Sequence, residues 1–325
     1  MLLLHIGTHK TGTTALQRFL VDNQAALAGL NHRYAAAGRP VGRYAQHNLA
    51  RRGDEEGHEA PWGRLAEEMR ERPGMVHLVS SEAFWNVSPE VAAKHSRQLG
   101  EVKVVAYVRR QDNFLESLYK HNVKLGASVS FEEFFQKRKK IGDYLSVLEK
   151  WEALFGRESL VVRPYDTPSG SIDIIADFLT LLGIDPQGDF ARPPRSNSSP
   201  RVELVNVIRA ANRTGELRLN DRLFAELRQR NRAYARSGDL FSLEQRQRII
   251  DHYAEGNAEM ARRYFPAEMK AAFPPPRASS HEVWPVDSES FYQLLVDAFE
   301  VMSKARPKAG DKLMARERRI QASLD

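Results

Sequence analysis

The residues with the clearest chemical potential lie near the start of the chain, at positions 9–14, where the sequence is His-Lys-Thr-Gly-Thr-Thr. They follow a short apolar run at residues 2–6 and precede a segment whose apolar residues have helical spacing. Gly7 and Gly12 permit a tight turn, and the first N–H groups of the next helix have no backbone acceptor. Because these N–H groups and the positive end of the helix dipole attract negative charge, the segment predicts an anion-binding loop.

The glycine spacing narrows the choice of anion. Gly7, Gly12 and Thr14 fit the pattern G-x-x-x-x-G-K-[ST] of nucleoside triphosphatases. Thr13, however, occupies the position of the phosphate-binding lysine, and the lysine of this chain is Lys10, inside the loop. From there an ammonium group would lie beside a phosphate, and Thr14 alone is a weak basis for a magnesium site. A kinase that uses ATP and magnesium is therefore an alternative and not the preferred hypothesis.

A second segment with phosphate-binding chemistry begins at the end of another predicted strand. Residues 102–108 are apolar and β-branched, which is typical of a buried strand, and Arg109 follows directly. Ser117 lies eight residues after Arg109, on the helix predicted over 111–125. A guanidinium group can bind two phosphate oxygens, and a helix hydroxyl can bind a third. The alternative is that Arg109 is a solvent-exposed charge at the end of a strand.

Taken together, these two segments resemble the motifs of sulfotransferases that use 3′-phosphoadenosine 5′-phosphosulfate (PAPS). The resemblance implies that the first segment binds the 5′-phosphosulfate through Lys10, Thr11, Gly12, Thr13 and Thr14. It implies that Arg109 and Ser117 bind the 3′-phosphate, that the product is 3′,5′-adenosine bisphosphate and that no metal is needed. Many family members that sulfate small molecules have a tryptophan here that can stack on adenine, whereas this chain has Ala15. The motif with Ala15 is more similar to the glycan-modifying branch, which implies a carbohydrate hydroxyl as the acceptor.

The resemblance also implies a base on the acceptor side, with Lys10 as the catalytic cation on the leaving side. Members of the family use a histidine or a glutamate as this base. His47 lies in a polar segment after the first helix, and its imidazole suits proton transfer near neutral pH. Glu82 follows a strand predicted at 75–80, at the sheet edge where ligands bind. The choice between these two bases stays open. Alternatively, His47 is an exposed loop residue and Glu82 is a charge at the start of a helix. His5 and His9 are predicted to be structural.

The elements that must position these residues alternate between strand and helix. Predicted strands at 2–6, 75–80, 102–108 and 158–162 indicate a three-layer α/β/α fold with a central parallel sheet, like that of P-loop nucleoside triphosphatases. Residues 1–190 are predicted to form this core and its donor site. Residues 191–325 are predicted to be a mainly helical extension that packs on the core or forms a lid. Its helices are predicted at 201–212, 221–234, 242–264 and 289–304.

Composition excludes several classes of protein. The 325 residues contain no cysteine, which excludes disulfides, zinc–thiolate sites and a thiol nucleophile. The net charge of +6 lies in short clusters with few interleaved aromatic residues, so a phosphate-rich donor and an anionic polysaccharide are favoured over nucleic acid. No apolar run reaches the ~20 residues of a membrane span, which predicts a cytoplasmic protein of bacterial origin. A nucleotide- or polyanion-binding protein without catalysis is the remaining alternative.

Overall fold

The computed structural model describes residues 1–51, 59–87, 89–194, 202–214, 229, 240–269, 273–276 and 295–300. The helices predicted over 221–234 and 289–304 lie mostly outside these residues. The chain divides into two compact units. The first contains residues 1–115, 138–196 and 244–276, and the second contains residues 116–137, 197–243 and 277–325.

The first unit is built on a five-stranded parallel sheet with the order β2-β3-β1-β4-β5. The strands are β1 (Leu2–His5), β2 (His32–Tyr34), β3 (Val76–Ser80), β4 (Val102–Val108) and β5 (Leu160–Pro164). This sheet, flanked by helices, confirms the predicted α/β class. Only β2 was not predicted, because three residues with two polar side chains show no period-two pattern.

The helices predicted over 111–125 and 201–212 lie close to helices of the structure. The helices of the described chain are α1 (Thr13–Asp22), α2 (Gln24–Gly29), α3 (Glu59–Glu71), α4 (Pro89–Ser96), α5 (Gln111–Lys124), α6 (Phe131–Arg138), α7 (Tyr144–Phe155), α8 (Ile174–Leu181), α9 (Val202–Thr214), α10 (Leu243–His252) and α11 (Ala254–Tyr264). A short hairpin, β6 (Asp166–Thr167) and β7 (Gly170–Ser171), follows β5. None of the helices in these ranges has the length and hydropathy that crossing a membrane requires.

The single helix predicted over 242–264 is wrong, since the structure has two helices that meet at Tyr253. The Tyr253 ring packs so closely on Gly142 that a Cβ at Gly142 would lie 2.7 Å from it. The Tyr253 hydroxyl donates a hydrogen bond of 2.6 Å to the Lys139 carbonyl. The break between the two helices therefore coincides with the burial of the Tyr253 side chain against a neighbouring loop. The apolar periodicity of the sequence does not predict this long-range contact.

The main hydrophobic core of the first unit lies between the sheet and α1 and α8. Its members include Leu3, Leu16, Phe19, Leu20, Leu78, Tyr107, Phe178 and Leu179. Leu2 and Leu4 alternate onto the opposite face of β1 and are fully buried as well. Both faces of the sheet are therefore covered, as a parallel sheet requires.

Backbone pairing continues beyond the end of β1. The Thr8 N–H donates to the Tyr107 carbonyl at 2.8 Å, and the Tyr107 N–H donates to the Gly7 carbonyl at 2.7 Å. These two bonds hold the segment after β1 against the last residues of β4. The carboxyl ends of both strands, and the loops that leave them, are consequently fixed side by side.

The second unit has its own aromatic cluster. The rings of Phe131 and Phe241 lie 4.0 Å apart, and Tyr119 packs edge-on to Phe131 at 5.4 Å. The Asn212 amide of α9 donates to the carbonyls of Val123 and Ala127 at 2.8 and 2.9 Å. These contacts attach α9 to the end of α5.

Core packing leads to a first prediction. Leu20 is fully buried in the core, whereas Leu30, at the end of α2, is 46% exposed. We expect Leu20→Ala to lower the free energy of unfolding by about 2–5 kcal/mol, because it removes apolar contacts and leaves a cavity. The matched control Leu30→Ala should cost less than about 1 kcal/mol. Urea denaturation measures both values, and equal losses would contradict the assigned core.

Candidate active site

The loop between β1 and α1 has an unusual backbone. The φ angles of Gly7, Lys10 and Gly12 are 107°, 65° and 80°, all in the left-handed region. Such an angle is uncommon for a residue with a side chain such as Lys10. The Thr11 hydroxyl donates a hydrogen bond of 2.7 Å to the Thr8 carbonyl, and this bond joins two residues within the loop. The loop is therefore held in one shape by its own contacts.

Helix α1 begins directly at this loop. Gly12 is its N-cap residue, no side chain caps the helix, and its first turn has no acidic residue. The N–H groups of Thr13 and Thr14 open the helix and have no intrahelical acceptor. Thr13 is buried and Thr14 is exposed. The helix start thus presents free donors and the positive end of the dipole on the side of the loop.

Arg109 connects the end of β4 to the loop. One guanidinium nitrogen, Nη1, donates to the Lys10 carbonyl at 3.0 Å. Its Nε lies 3.7 Å from the Asp166 carboxylate, but within the described residues it has no hydrogen-bond partner although it is buried. A buried N–H without a hydrogen-bond acceptor beside this loop is a feature that a bound anion would satisfy.

Tyr165 forms the adjoining wall, a role that sequence reasoning did not assign. The Arg109 guanidinium lies 5.6 Å from the centre of its ring. A Cβ at Gly12 would lie 3.7 Å from the Tyr165 hydroxyl and 3.0 Å from Ile174 Cγ2. Burial raises the pKa of Tyr165, although the charge of Arg109 opposes the rise. The tight space explains why a glycine precedes α1.

Glu82 lies on the other side of the loop, just after β3. A Cβ at Gly7 would lie 3.2 Å from both Cα and Cβ of Glu82. The Gln17 amide donates to Glu82 Oε2 at 2.9 Å. Burial alone would raise the pKa of Glu82, but the Gln17 hydrogen bond and the nearby His47 and His9 outweigh it, so that the pKa is lowered. The Glu82 carboxylate is consequently ionised at neutral pH.

His47 lies next to Glu82 because of its neighbour Gln46. The Gln46 side chain accepts from the Ser80 N–H at 2.9 Å and donates to the Ala35 carbonyl at 2.8 Å, which attaches this segment to the end of β3. His47 Nδ1 is then hydrogen-bonded to Ser81 Oγ at 2.8 Å. The two base candidates, His47 and Glu82, are brought to the same place.

His9 belongs to the same cluster. Its Nε2 accepts a hydrogen bond of 2.8 Å from the Asn86 amide. Burial lowers the pKa of His9, Glu82 opposes this effect, and Lys10 and His47 add to it. His9 is therefore neutral at pH 7 and attaches the loop to the helical turn Glu82–Asn86. The expected structural role agrees with this contact, but its proximity to both base candidates was not foreseen.

Ser117, the predicted partner of Arg109, lies about two turns into α5, in the second compact unit. Its role in phosphate binding therefore stays a prediction. Among the residues that the structure describes, no group of three or more His, Asp or Glu side chains is arranged to hold a metal ion. In the first unit, the loop 7–14, Arg109, Glu82 and His47 lie around one edge of the sheet.

No family model matches the chain. The chain is similar to an uncharacterized protein of Archaeoglobus fulgidus, with 34% identity over 201 residues that cover 58% of this chain. The match spans 53% of that relative, about half of its length. A solved sulfotransferase of Alicyclobacillus acidocaldarius matches with 17% identity and a TM-score of 0.36, over 65% of this chain and 92% of that one.

The close approach of Gly7 to Glu82 leads to a second prediction. Gly7→Ala introduces a methyl group 3.2 Å from the Glu82 backbone, whereas Gly100, with a similar φ of 103°, has no neighbour within 4 Å of such a methyl. Both substitutions strain the backbone, but only the first also overpacks. We expect Gly7→Ala to lower the free energy of unfolding by about 1–3 kcal/mol more than Gly100→Ala. Chemical denaturation tests this difference, and equal values would exclude the close contact.

Proposed function

We propose that the protein is a sulfotransferase that moves the sulfuryl group of PAPS to an acceptor hydroxyl, most favourably on a carbohydrate. The observation that carries the proposal is the arrangement of charged groups on the two sides of one loop. Arg109 donates to the carbonyl of Lys10 on one side, and Glu82 lies on the other, where its Cα and Cβ are 3.2 Å from the position that a Cβ on Gly7 would take. Cationic donors for a leaving phosphate and a proton acceptor for a nucleophile thus flank a single loop.

The donor side fits a nucleotide that carries two separate anionic groups. We assign the 5′-phosphosulfate to the Lys10 ammonium and to the N–H groups of residues 11–14, at the start of α1. The 3′-phosphate is assigned to Arg109, whose buried Nε lies 3.7 Å from Asp166 but has no hydrogen-bond partner in the described chain. Ser117 lies in the second compact unit, and its contribution stays a prediction. When bound, PAPS supplies a sulfuryl group that is activated by its bond to phosphate.

The reaction balances with the groups present. The oxygen of the acceptor hydroxyl forms a bond to sulfur while the bond between sulfur and the bridging phosphate oxygen breaks. The electron pair of the broken bond stays on that oxygen, which the Lys10 ammonium stabilises as negative charge develops. The proton of the hydroxyl moves to Glu82 or His47. The products are a sulfate ester and 3′,5′-adenosine bisphosphate.

Glu82 and His47 both have the chemistry of the base. Glu82 is ionised at neutral pH, and its Oε2 already accepts from Gln17, so its second oxygen is the one assigned to the acceptor proton. His47 uses Nδ1 for Ser81, which assigns Nε2 to the acceptor side. Because the two groups lie close together, we propose that they act as one proton-accepting pair, in which the charge of one residue affects the protonation of the other.

The kinase alternative is less well supported by the loop. The position of the lysine that extends over a γ-phosphate is Thr13, which is 5% exposed and therefore directed into the protein. The ammonium of this loop belongs to Lys10, whose backbone carbonyl is bound by Arg109. A direct comparison of PAPS with ATP and magnesium distinguishes the two functions.

The proposal gives a third prediction. With ³⁵S-labelled PAPS and a panel of carbohydrate and phenolic acceptors, we expect transfer of label to carbohydrate hydroxyls. Glu82→Gln or His47→Ala, whichever residue is the base, should lower kcat by about 10²–10⁴-fold, because a positioned proton acceptor is lost. The exposed variant Glu101→Gln removes the same charge at the start of β4 and should keep full activity.

Two outcomes would contradict the sulfotransferase. One is transfer of the γ-phosphate of ATP in the presence of magnesium, with no transfer from PAPS. The other is full activity in both Glu82→Gln and His47→Ala, which would place the chemistry elsewhere. Binding of 3′,5′-adenosine bisphosphate without any turnover, combined with a steep loss of binding in salt, would favour the non-catalytic alternative.

A further inference from the structure

We propose that Gln17 is a positioning residue that fixes the Glu82 carboxylate for proton transfer and thereby connects the donor-binding helix to the acceptor side. The inference rests on the proposed function for its catalytic meaning. Its geometric content is independent of that function, because it concerns only how Glu82 is held. Gln17 is 3% exposed and lies on α1, the helix that begins at the anion-binding loop.

A single nitrogen of Gln17 makes two hydrogen bonds. Nε2 donates to Glu82 Oε2 at 2.9 Å and to Ser80 Oγ at 3.2 Å. A carboxamide nitrogen carries two hydrogens, so both bonds can form at once. The bond to Ser80 fixes the plane of the amide, and the amide in turn fixes one oxygen of Glu82. The other carboxylate oxygen is the one assigned to the hydroxyl of the acceptor substrate.

Ser80 is itself firmly held. Its Oγ lies 2.8 Å from His5 Nδ1, and its backbone N–H donates to Gln46 Oε1 at 2.9 Å. Ser80 and His5 are both fully buried, and the His5 ring packs edge-on to Tyr107 at 5.6 Å. The series His5–Ser80–Gln17–Glu82 therefore runs from the sheet interior to the site without a mobile surface side chain. Buried hydrogen bonds of this kind restrict orientation strongly.

The charged and titratable groups around Glu82 come from several elements. His5 on β1, His9 in the loop, His47 in the turn after β2 and Tyr34 on β2 all interact electrostatically with it. Burial favours the protonated acid, whereas the Gln17 hydrogen bond is the largest of the effects that favour the carboxylate. Removal of that bond leaves the burial in place, so the pKa of Glu82 should rise.

The test compares Gln17→Met, which keeps the approximate volume but removes both donors, with the nearly isosteric Gln17→Glu, which places a like charge beside Glu82. The exposed Gln24 of α2 provides the control Gln24→Met. Three quantities are measured: the ¹³C titration of the Glu82 carboxyl in the free protein, the pH profile of kcat, and the KM for PAPS. The ¹³C signal of Glu82 is assigned by its loss in Glu82→Gln. Thermal unfolding confirms that each variant is folded.

We expect the Glu82 titration to move to higher pH in both Gln17 variants, and further in Gln17→Glu because like charges repel. The acid limb of the kcat profile should move in the same direction. At neutral pH kcat should fall about tenfold, and the KM for PAPS should change less than about twofold, since the donor contacts remain. Gln24→Met should match the wild type in all three measurements.

The outcomes separate this inference from the proposed function. An unchanged Glu82 titration in both folded variants overturns the positioning role, even if the wild type transfers sulfuryl groups. A shifted titration in a protein that has no transferase activity retains the positioning role and rejects the sulfotransferase. A loss of kcat that only follows the unfolded fraction, with no shift of the titration, also overturns the inference.

Discussion

The candidate site is positioned by the parallel pairing of β1 with β3 on one side and with β4 on the other. This pairing brings three chain segments to one edge of the sheet: the loop 7–14, Glu82 after β3 and Arg109 after β4. The approach is close, since a Cβ on Gly7 would lie 3.2 Å from Cα and Cβ of Glu82. The backbone hydrogen bonds of the parallel sheet thus bring the functional groups of three separate segments to one edge.

Around that edge, the two sides of the loop have opposite chemistry. The β4 side has the Arg109 guanidinium and the free N–H groups of α1, whereas the β3 side has the Glu82 carboxylate with two histidines. Partial burial strengthens each interaction because fewer waters screen it. The network through Ser80, Gln17 and Gln46 satisfies the polar groups that this burial would otherwise destabilise. The candidate site therefore has a cationic side at Arg109 and a carboxylate side at Glu82.

Much of this arrangement could be predicted from local sequence. The β-branched run gave β4 at 102–108, and the glycine spacing located the loop, because both signals depend on neighbouring residues. The contacts of Gln17 with Glu82 and of His47 with Ser81 join residues 65 and 34 positions apart. No periodicity encodes such pairs, since packing of the folded chain decides them. The split of the helix at Tyr253 and the three-residue β2 escaped prediction for the same reason.

The central claim is that Arg109 binds the 3′-phosphate of a nucleotide whose 5′ end lies on the loop. Calorimetry with 3′,5′-adenosine bisphosphate and with adenosine 5′-phosphate tests it through the ratio of their affinities, which cancels any general disturbance of the loop. The wild type and the exposed control Arg18→Gln should bind 3′,5′-adenosine bisphosphate at least about tenfold more tightly than adenosine 5′-phosphate. In Arg109→Gln this ratio of affinities should fall to nearly one. An equal ratio in wild type and Arg109→Gln would contradict the central claim.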